Sequence, residues 1–230
     1  DRAMTASPET PPSGSSEPSA DCRLCPRLAA FRDANRVAYP DFFNAPAPSF
    51  GPRDARLLVV GLAPGLKGAN RTGRPFTGDY AGDLLYATLA KFGFANDRFA
   101  ARIDDGLELY NCRITNAVRC VPPQNKPIGA EVTACRPFLQ NEIAGLPKLE
   151  IIVALGGLSH GAILAGLGLR RSGWKFAHGA QHNLSAEMGR PMILADSYHC
   201  SRYNTNTGRL TTPMFEDVFA AIRARLGNSG

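Results

Sequence analysis

The sequence predicts an α/β fold, a three-layer αβα sandwich around a central, mostly parallel sheet of four strands. Two observations carry this. Four short apolar runs without polar alternation punctuate the chain, which is how strands covered on both faces read. Between them lie stretches with apolar residues at helical spacing, and strand alternating with helix is the pattern of a doubly wound sheet.

The strands are expected at 56–62 (RLLVVGL), 109–118 (LYNCRITNAV), 150–156 (EIIVALG) and 192–199 (MILADSYH). In GDLLYATLAKFG, Leu84, Leu85, Thr88, Leu89 and Phe92 share one helical face before Gly93 ends the run. The last helix carries the strongest signals. Thr212 is placed to cap it, Pro213 suits its first position, and Phe215, Val218, Phe219, Ile222 and Leu226 form a stripe before Gly227. In this fold class ligands bind beyond the carboxyl ends of the strands. GLAPG, TNAVRC, GGLSH and YHCSRYN all begin there.

A chain of 230 residues suits one domain, or one domain with a tail. Residues 1–20 are rich in Pro and Ser and hold no apolar run, so they are read as a disordered leader or remnant. The domain is then 21–227 and the tail 228–230. Without the leader the chain carries 25 basic against 17 acidic residues, a balance that favours a polyanionic partner. No stretch nears the roughly 18 consecutive apolar residues of a membrane span, and no signal-peptide pattern is present. A soluble intracellular protein is expected.

In a cytosolic chain, six cysteines suggest metal chemistry before disulfides. Cys22 and Cys25 form a CxxC, and Cys120 and Cys135 flank the loop-like VPPQNKP. Four thiolates can close a tetrahedral site, and spacing does not separate zinc from an iron–sulfur cluster. The plainer reading is a redox CxxC with two buried small hydrophobes. Cys112, in an expected strand, and Cys200 read as packing residues.

Two strand ends suggest other chemistry. Gly157–Leu158–Ser159–His160–Gly161 fits the G-x-S-x-G elbow of a serine hydrolase, with Ser159 as nucleophile. The elbow needs an acid and a His on later, separate loops, yet Asp196 and His199 lie three residues apart. GLAPGLKG lacks both phosphate-loop spacings. His178 and His182 are four apart, but AHGAQHN reads as a loop.

GLAPG (61–65), GRPFTGD (73–79), ITNAVRCVPPQNKP (114–127), IIVALG and YHCSRYNTNTGRLT occur in this order. Together they resemble the uracil-DNA glycosylase superfamily, specifically its iron–sulfur family 5, or type B, across about Cys22 to Leu226. The resemblance implies a base-excision repair enzyme that flips a deaminated base from DNA and hydrolyses its N-glycosidic bond, leaving an abasic site. It implies a 4Fe-4S cluster of structural role on Cys22, Cys25, Cys120 and Cys135. It further implies a monomer acting on DNA with deaminated bases, in the cytoplasm with the nucleoid.

The residues suit these roles. Breaking the bond leaves negative charge on the base, so a donor aimed at a base oxygen favours the transition state. His199 is placed to donate to O2 of uracil. In the following loop Ser201, Asn204, Thr205, Asn206 and Thr207 offer donors to phosphates, Arg202 offers charge, and Tyr203 is a wedge for the gap. Gly61 and Ala63 of the first motif are expected beside the base. Phe76, an aromatic in a Gly-rich turn without an obvious core role, is expected to stack on it. Asn116 can pair with an edge showing N–H beside C=O, which uracil and hypoxanthine both present, so a roomy enough pocket is expected to read both. Rejecting cytosine, with the reverse pattern, requires the amide to be pinned against rotation. Asn125 is a second candidate for base or backbone.

Two departures from better-known members stand out. The first motif, Gly61–Gly65, holds no residue able to act as a base, an absence family 5 shares. Asp79 is therefore assigned to orienting water or stabilising the cationic sugar, with Asp83 its competitor. The second departure is HCS where many relatives have HPS, which removes a stiffening proline beside His199. A further reading is a noncatalytic iron–sulfur DNA-binding module, which would not need His199, Asn116 and Phe76 to converge.

Overall fold

The four apolar runs pair with one another, because only a ladder satisfies backbone groups in segments buried on both sides. The computed structural model describes residues 14–227. The first part of the chain comprises α1 (Pro26–Ala38), β1 (Leu57–Gly61), α2 (Ala69–Thr72), α3 (Tyr80–Lys91), β2 (Cys112–Asn116) and α4 (Gly129–Ala144). The second comprises β3 (Ile151–Leu155), α5 (Gly157–Gly166), β4 (Gln181–Asn183), α6 (Ser185–Met188), β5 (Ile193–Ser197), α7 (Arg202–Asn206) and α8 (Thr212–Leu226).

The strand order is β2-β1-β3-β5-β4, with β1, β2, β3 and β5 parallel. The chain leaves β1 to one side and returns on the other, so the order reverses at β1, where α/β folds open a crevice. The fifth strand, β4, runs antiparallel to β5 and corrects the expected four. Its sequence Gln-His-Asn has no apolar signal, and it is a strand because the edge of β5 offers it a ladder.

Alternation sorts the strand residues between two cores. Leu57, Val59, Ile114, Ile151 and Val153 pack with α3 and α8 through Leu85, Leu89, Phe215 and Phe219. Leu58, Val60, Ile152 and Leu194 face the layer of α4 and α5 through Leu139, Ile143 and Ile163. The α8 stripe is buried as expected, but the cap is Thr211, whose hydroxyl accepts from Met214 N at 3.3 Å.

Residues 1–13 and 228–230, expected as leader and tail, lie outside the described residues. The remainder of the expected leader, 14–20, is folded onto the domain. Ser16 is buried, and Ser15 O accepts from Asn141 Nδ2 at 2.7 Å. Glu17 accepts from Arg119 Nη1 at 2.7 Å and from Ser49 N at 3.0 Å. A composition argument sees too little apolar surface here. It does not see that one carboxylate answers a buried guanidinium.

That guanidinium belongs to a buried charge network. Arg113, on β2, donates through Nε to Glu142 of α4 and through Nη1 to Gly51 O, and Glu142 Oε2 lies 3.9 Å from Arg119. All three side chains are buried. Replacing Glu142 by Ala strands Arg113 without its main counter-charge and should lower stability by about 3–5 kcal/mol, read as the shift in denaturant midpoint. Asp54→Ala, which removes the exposed partner of Lys148, should leave the midpoint in place.

Candidate active site

At the carboxyl ends of β1, β2 and β5 opens a cavity of 360 Å³ lined by Ala63, Phe76, Asp79, Asn116, Asn125, His199, Ser201 and Arg202, with Leu62, Pro64 and Tyr80 among their neighbours. These residues are separated by up to 140 positions in the chain. The sheet gathers them because each follows or ends a parallel strand.

Gly61 stands directly behind the wall. It is paired in register with Asn116, and a Cβ on it would lie 2.5 Å from Phe76 Cζ and closer still to Asn116 Oδ1. Only a residue without a side chain lets the ring and the amide approach one strand end this closely. Phe76 has φ +52, and a Cβ on Gly82 would collide with its carbonyl oxygen. The ring is 7% exposed and packs in the α3/α8 core. Phe76 therefore has the core role that its Gly-rich surroundings concealed, and it lines the cavity as well.

The Asn116 side chain is buried, and among the described residues its amide has no hydrogen-bond partner. Packing against Gly61 and Phe76 confines it, and its polar atoms remain available to a ligand. The imidazole of His199 likewise has no partner, while Asn204 Nδ2 donates to His199 O at 2.8 Å and fixes the backbone behind the ring. Burial lowers the His199 pKa, so the ring is neutral at pH 7 and keeps one N–H to donate. The Phe76 and His199 ring centroids lie 6.2 Å apart, tilted by 34°.

Asp79 is the N-cap of α3, where Oδ1 accepts from Gly82 N at 3.3 Å. Oδ2 lies against the first motif: a Cβ on Gly65 would be 3.2 Å from it and one on Gly68 would clash. Burial raises the Asp79 pKa, with the Gly82 bond opposing and Asp83 adding to the rise. Asp83 is exposed in the first turn of α3 and does not line the cavity.

The polar run after His199 is the short helix α7 rather than an open loop, capped by Ser201, which accepts from Asn204 N at 3.3 Å. Several of its expected donors are already engaged. Asn204 holds His199, Thr205 Oγ1 donates to Ser201 O and Arg202 O, and Thr207 Oγ1 donates to Tyr203 O. Arg202, Tyr203 and Asn206 are exposed, Tyr203 at 72%. The Arg202 guanidinium lies 5.3 Å from the Tyr80 ring centroid at the cavity mouth. Tyr80 was missed in the sequence because it reads as the first residue of a helix.

Next to this cavity, Cys22, Cys25, Cys120 and Cys135 line a pocket with Leu28, Val118 and Phe138. Ala63 packs on the same cluster, which joins the two sites. Among the described residues, the one set of three or more potential ligands lying within 4.8 Å of one another is His160, His182 and Asp196. The sulfurs are thus spread wider than on a single zinc, where bonds of about 2.3 Å put them about 3.8 Å apart. Burial raises the thiols, Cys25 to about 11 and Cys135 to about 12. A cationic group is needed to hold them as thiolates. Arg32, 1% exposed, donates through Nη1 to Cys120 Sγ at 3.6 Å and through Nη2 to Cys22 O at 2.9 Å. Its Nε, like that of Arg119, is buried without a partner. Two buried cations therefore flank the four sulfurs. Cys112 and Cys200 are packed in the core as expected.

The serine hydrolase arrangement is not formed. Ser159 is fully buried within α5, and its Oγ has no partner. His160 is committed to Asp196 Oδ1 at 2.7 Å and Trp174 O at 2.9 Å. Burial alone would lower its pKa, but these two acceptors outweigh it and the pKa is raised. His182 Nε2 donates to Asp196 Oδ2 at 2.9 Å. These direct bonds make the trio a brace under β5. His178 is equally occupied, accepting from Tyr198 N at 3.0 Å and donating to Met214 O at 3.1 Å.

A family model described as the uracil DNA glycosylase superfamily matches residues 48–223. The chain is 44% identical to a type-5 uracil-DNA glycosylase of Thermus thermophilus, over 90% of this chain and 94% of the relative. It is 42% identical to one of Mycobacterium leprae, over 90% and 92%, and 36% identical to one of Pyrobaculum aerophilum, over 90% of each.

The close approach at Gly61 can be tested directly. Gly61→Ala should cost about 1–3 kcal/mol in denaturant unfolding, because Asn116 and Phe76 must both move. Gly173→Ala, where a Cβ meets nothing within 4 Å, should leave stability unchanged.

Proposed function

The chain belongs to the uracil DNA glycosylase superfamily, and we propose that it acts in DNA repair as a uracil-DNA glycosylase whose chemistry is carried by His199, Asn116, Phe76 and Asp79. The observation that carries this reading is their convergence, with two unpartnered polar groups, in one cavity at the strand ends. At 360 Å³ it is near the small end of ligand cavities, which run from about 300 to about 1,000 Å³.

The flipped base lies between Phe76 and His199. Asn116 pairs with its N–H and C=O edge, and neutral His199 donates to O2 as the glycosidic electron pair moves onto the base. A donor that is already neutral and desolvated does not have to lose a proton or a water shell to act. Asp79 keeps one oxygen on the α3 cap and turns the other toward the first motif, where it orients the attacking water or stabilises the cationic sugar. Hypoxanthine shows the same N–H and C=O edge, so the pocket takes both deaminated bases. Arg202, Tyr203 and Asn206 are the exposed residues of α7 that meet the DNA strand, and the protein acts as a monomer.

Cys22, Cys25, Cys120 and Cys135 hold a 4Fe-4S cluster. The wide spread of the sulfurs favours it over zinc, and the buried Arg32, which points at Cys120, suits the net negative charge that four thiolates leave on either metal group. When bound, the cluster cross-links the start of α1, the segment after β2 and the middle of α4. Arg32 ties that link to helix α1.

Two experiments test this. In single-turnover excision with uracil, hypoxanthine and undamaged strands, both deaminated strands should become alkali-labile. His199→Ala should slow excision about 100- to 1,000-fold. Wild-type rates should fall as pH drops through the raised Asp79 value, and Asp79→Asn should flatten that limb. A chain that leaves every substrate intact with its cluster in place is a binding module instead. For the cluster, purified protein should contain four iron and four sulfide per chain. Arg32→Met should lose its visible absorbance to a chelator faster than wild type or Arg32→Lys, and a zinc-filled protein would overturn the assignment.

A further inference from the structure

Between α4 and α5 a second cavity of 310 Å³ opens beside the first, and Leu62 lines both. Its walls carry two guanidinium groups, Arg136 from α4 and Arg171 from the turn after α5, and no carboxylate. The acid of the first turn of α4, Glu131, is turned away: its carboxylate accepts from Arg27 at 2.7 and 2.8 Å and from Ile128 N at 2.9 Å. Among the described residues neither Arg136 nor Arg171 has an ion pair. Arg136 Nη2 reaches Thr133 Oγ1 at 3.4 Å, and its Nε is buried without a partner. Arg171 Nη2 reaches Gly157 O at 3.4 Å.

The place of Arg171 depends on a glycine. A Cβ on Gly161 would lie 3.0 Å from its Cζ and Nε, so the guanidinium lies across α5 where a larger residue would displace it. Leu158, 65% exposed, stands at the rim beyond the carboxyl end of β3, which is the edge of the sheet where the base cavity also opens. Two uncompensated cations over an apolar floor favour an anionic occupant. The shared wall at Leu62 sets that occupant beside whatever enters the first cavity.

We propose that this groove binds backbone phosphates of the DNA duplex next to the flipped nucleotide, with Arg136 and Arg171 as their partners and Leu158 against the sugars. The inference rests on the glycosylase reading for the identity of the polymer.

The test is duplex binding as a function of salt, for wild type and Arg136→Gln/Arg171→Gln, beside excision from a short single-stranded uracil oligonucleotide. The double variant should bind duplex more weakly, with a log–log salt slope shallower by close to 2, at about 0.9 for each lost phosphate contact. At saturating single-stranded oligonucleotide its maximal excision rate should match wild type, with any loss confined to KM, which shows that the variant is folded and its base pocket intact. Lys148→Gln, an exposed cation paired with Asp54, should keep the wild-type slope. An unchanged slope and duplex affinity in the double variant overturn the groove, whatever the excision rate. Wild type that binds duplex but excises no uracil overturns the glycosylase reading, while the slope difference still decides the groove.

Discussion

The missing side chain at Gly61 is the constraint on which the site depends. It lets Asn116, on the neighbouring strand, and Phe76, arriving from a separate turn, close on the end of the central strand β1. Phe76 has to enter at positive φ, and Gly82 must pass under its carbonyl for α3 to begin where it does. The start of α3 is in turn fixed by Asp79, whose second oxygen reaches back to Gly65, which ends the first motif, and to Gly68 beyond it. The pocket wall, the helix cap and the core are thus one packing problem with shared members. A volume change at one strand end is felt by all of them, because close-packed interiors transmit strain.

The remaining organisation is electrostatic. Arginines recur in this domain at different depths, and their partners differ. Arg113 and Arg119 meet Glu142 and Glu17, so stability is tied to specific carboxylates. Arg32 points at the Cys120 sulfur and the Cys22 carbonyl. Among the described residues Arg136 and Arg171 have no ion pair, and the cavity they line holds no carboxylate. The same residue type therefore meets carboxylates, a sulfur or neutral oxygens, and only the partner tells these cases apart. Burial lowers the His199 pKa, which suits the neutral N–H donor proposed for it.

Much of this was legible in the chain. The parallel strands are continuous apolar runs because both faces are covered, and the α8 stripe is a 3.6-residue repeat; both are one-dimensional patterns. The strand-end motifs pointed to His199, Asn116 and Asp79, because parallel topology puts strand ends together whatever their separation in sequence, and the CxxC with its two later partners pointed to the four cysteines. What escaped had no local signal. β4 is three polar residues paired to an edge, the 14–20 segment is held by Glu17 on a distant arginine, and Phe76 is a core residue set in a turn.

The amino-acid sequence by itself determined the fold class, the order of the strands in the chain and the residue types that meet at their ends, since hydrophobic period and motif spacing are properties of neighbours along the chain. Only the tertiary structure decided which polar groups are free. Among the described residues Asn116 and His199 keep their side chains without a hydrogen-bond partner, while Asn204, Thr205, His160 and His178 are already bound. A hydrogen bond needs a partner at about 3 Å, and which atoms come that close is set by packing between segments far apart in the chain.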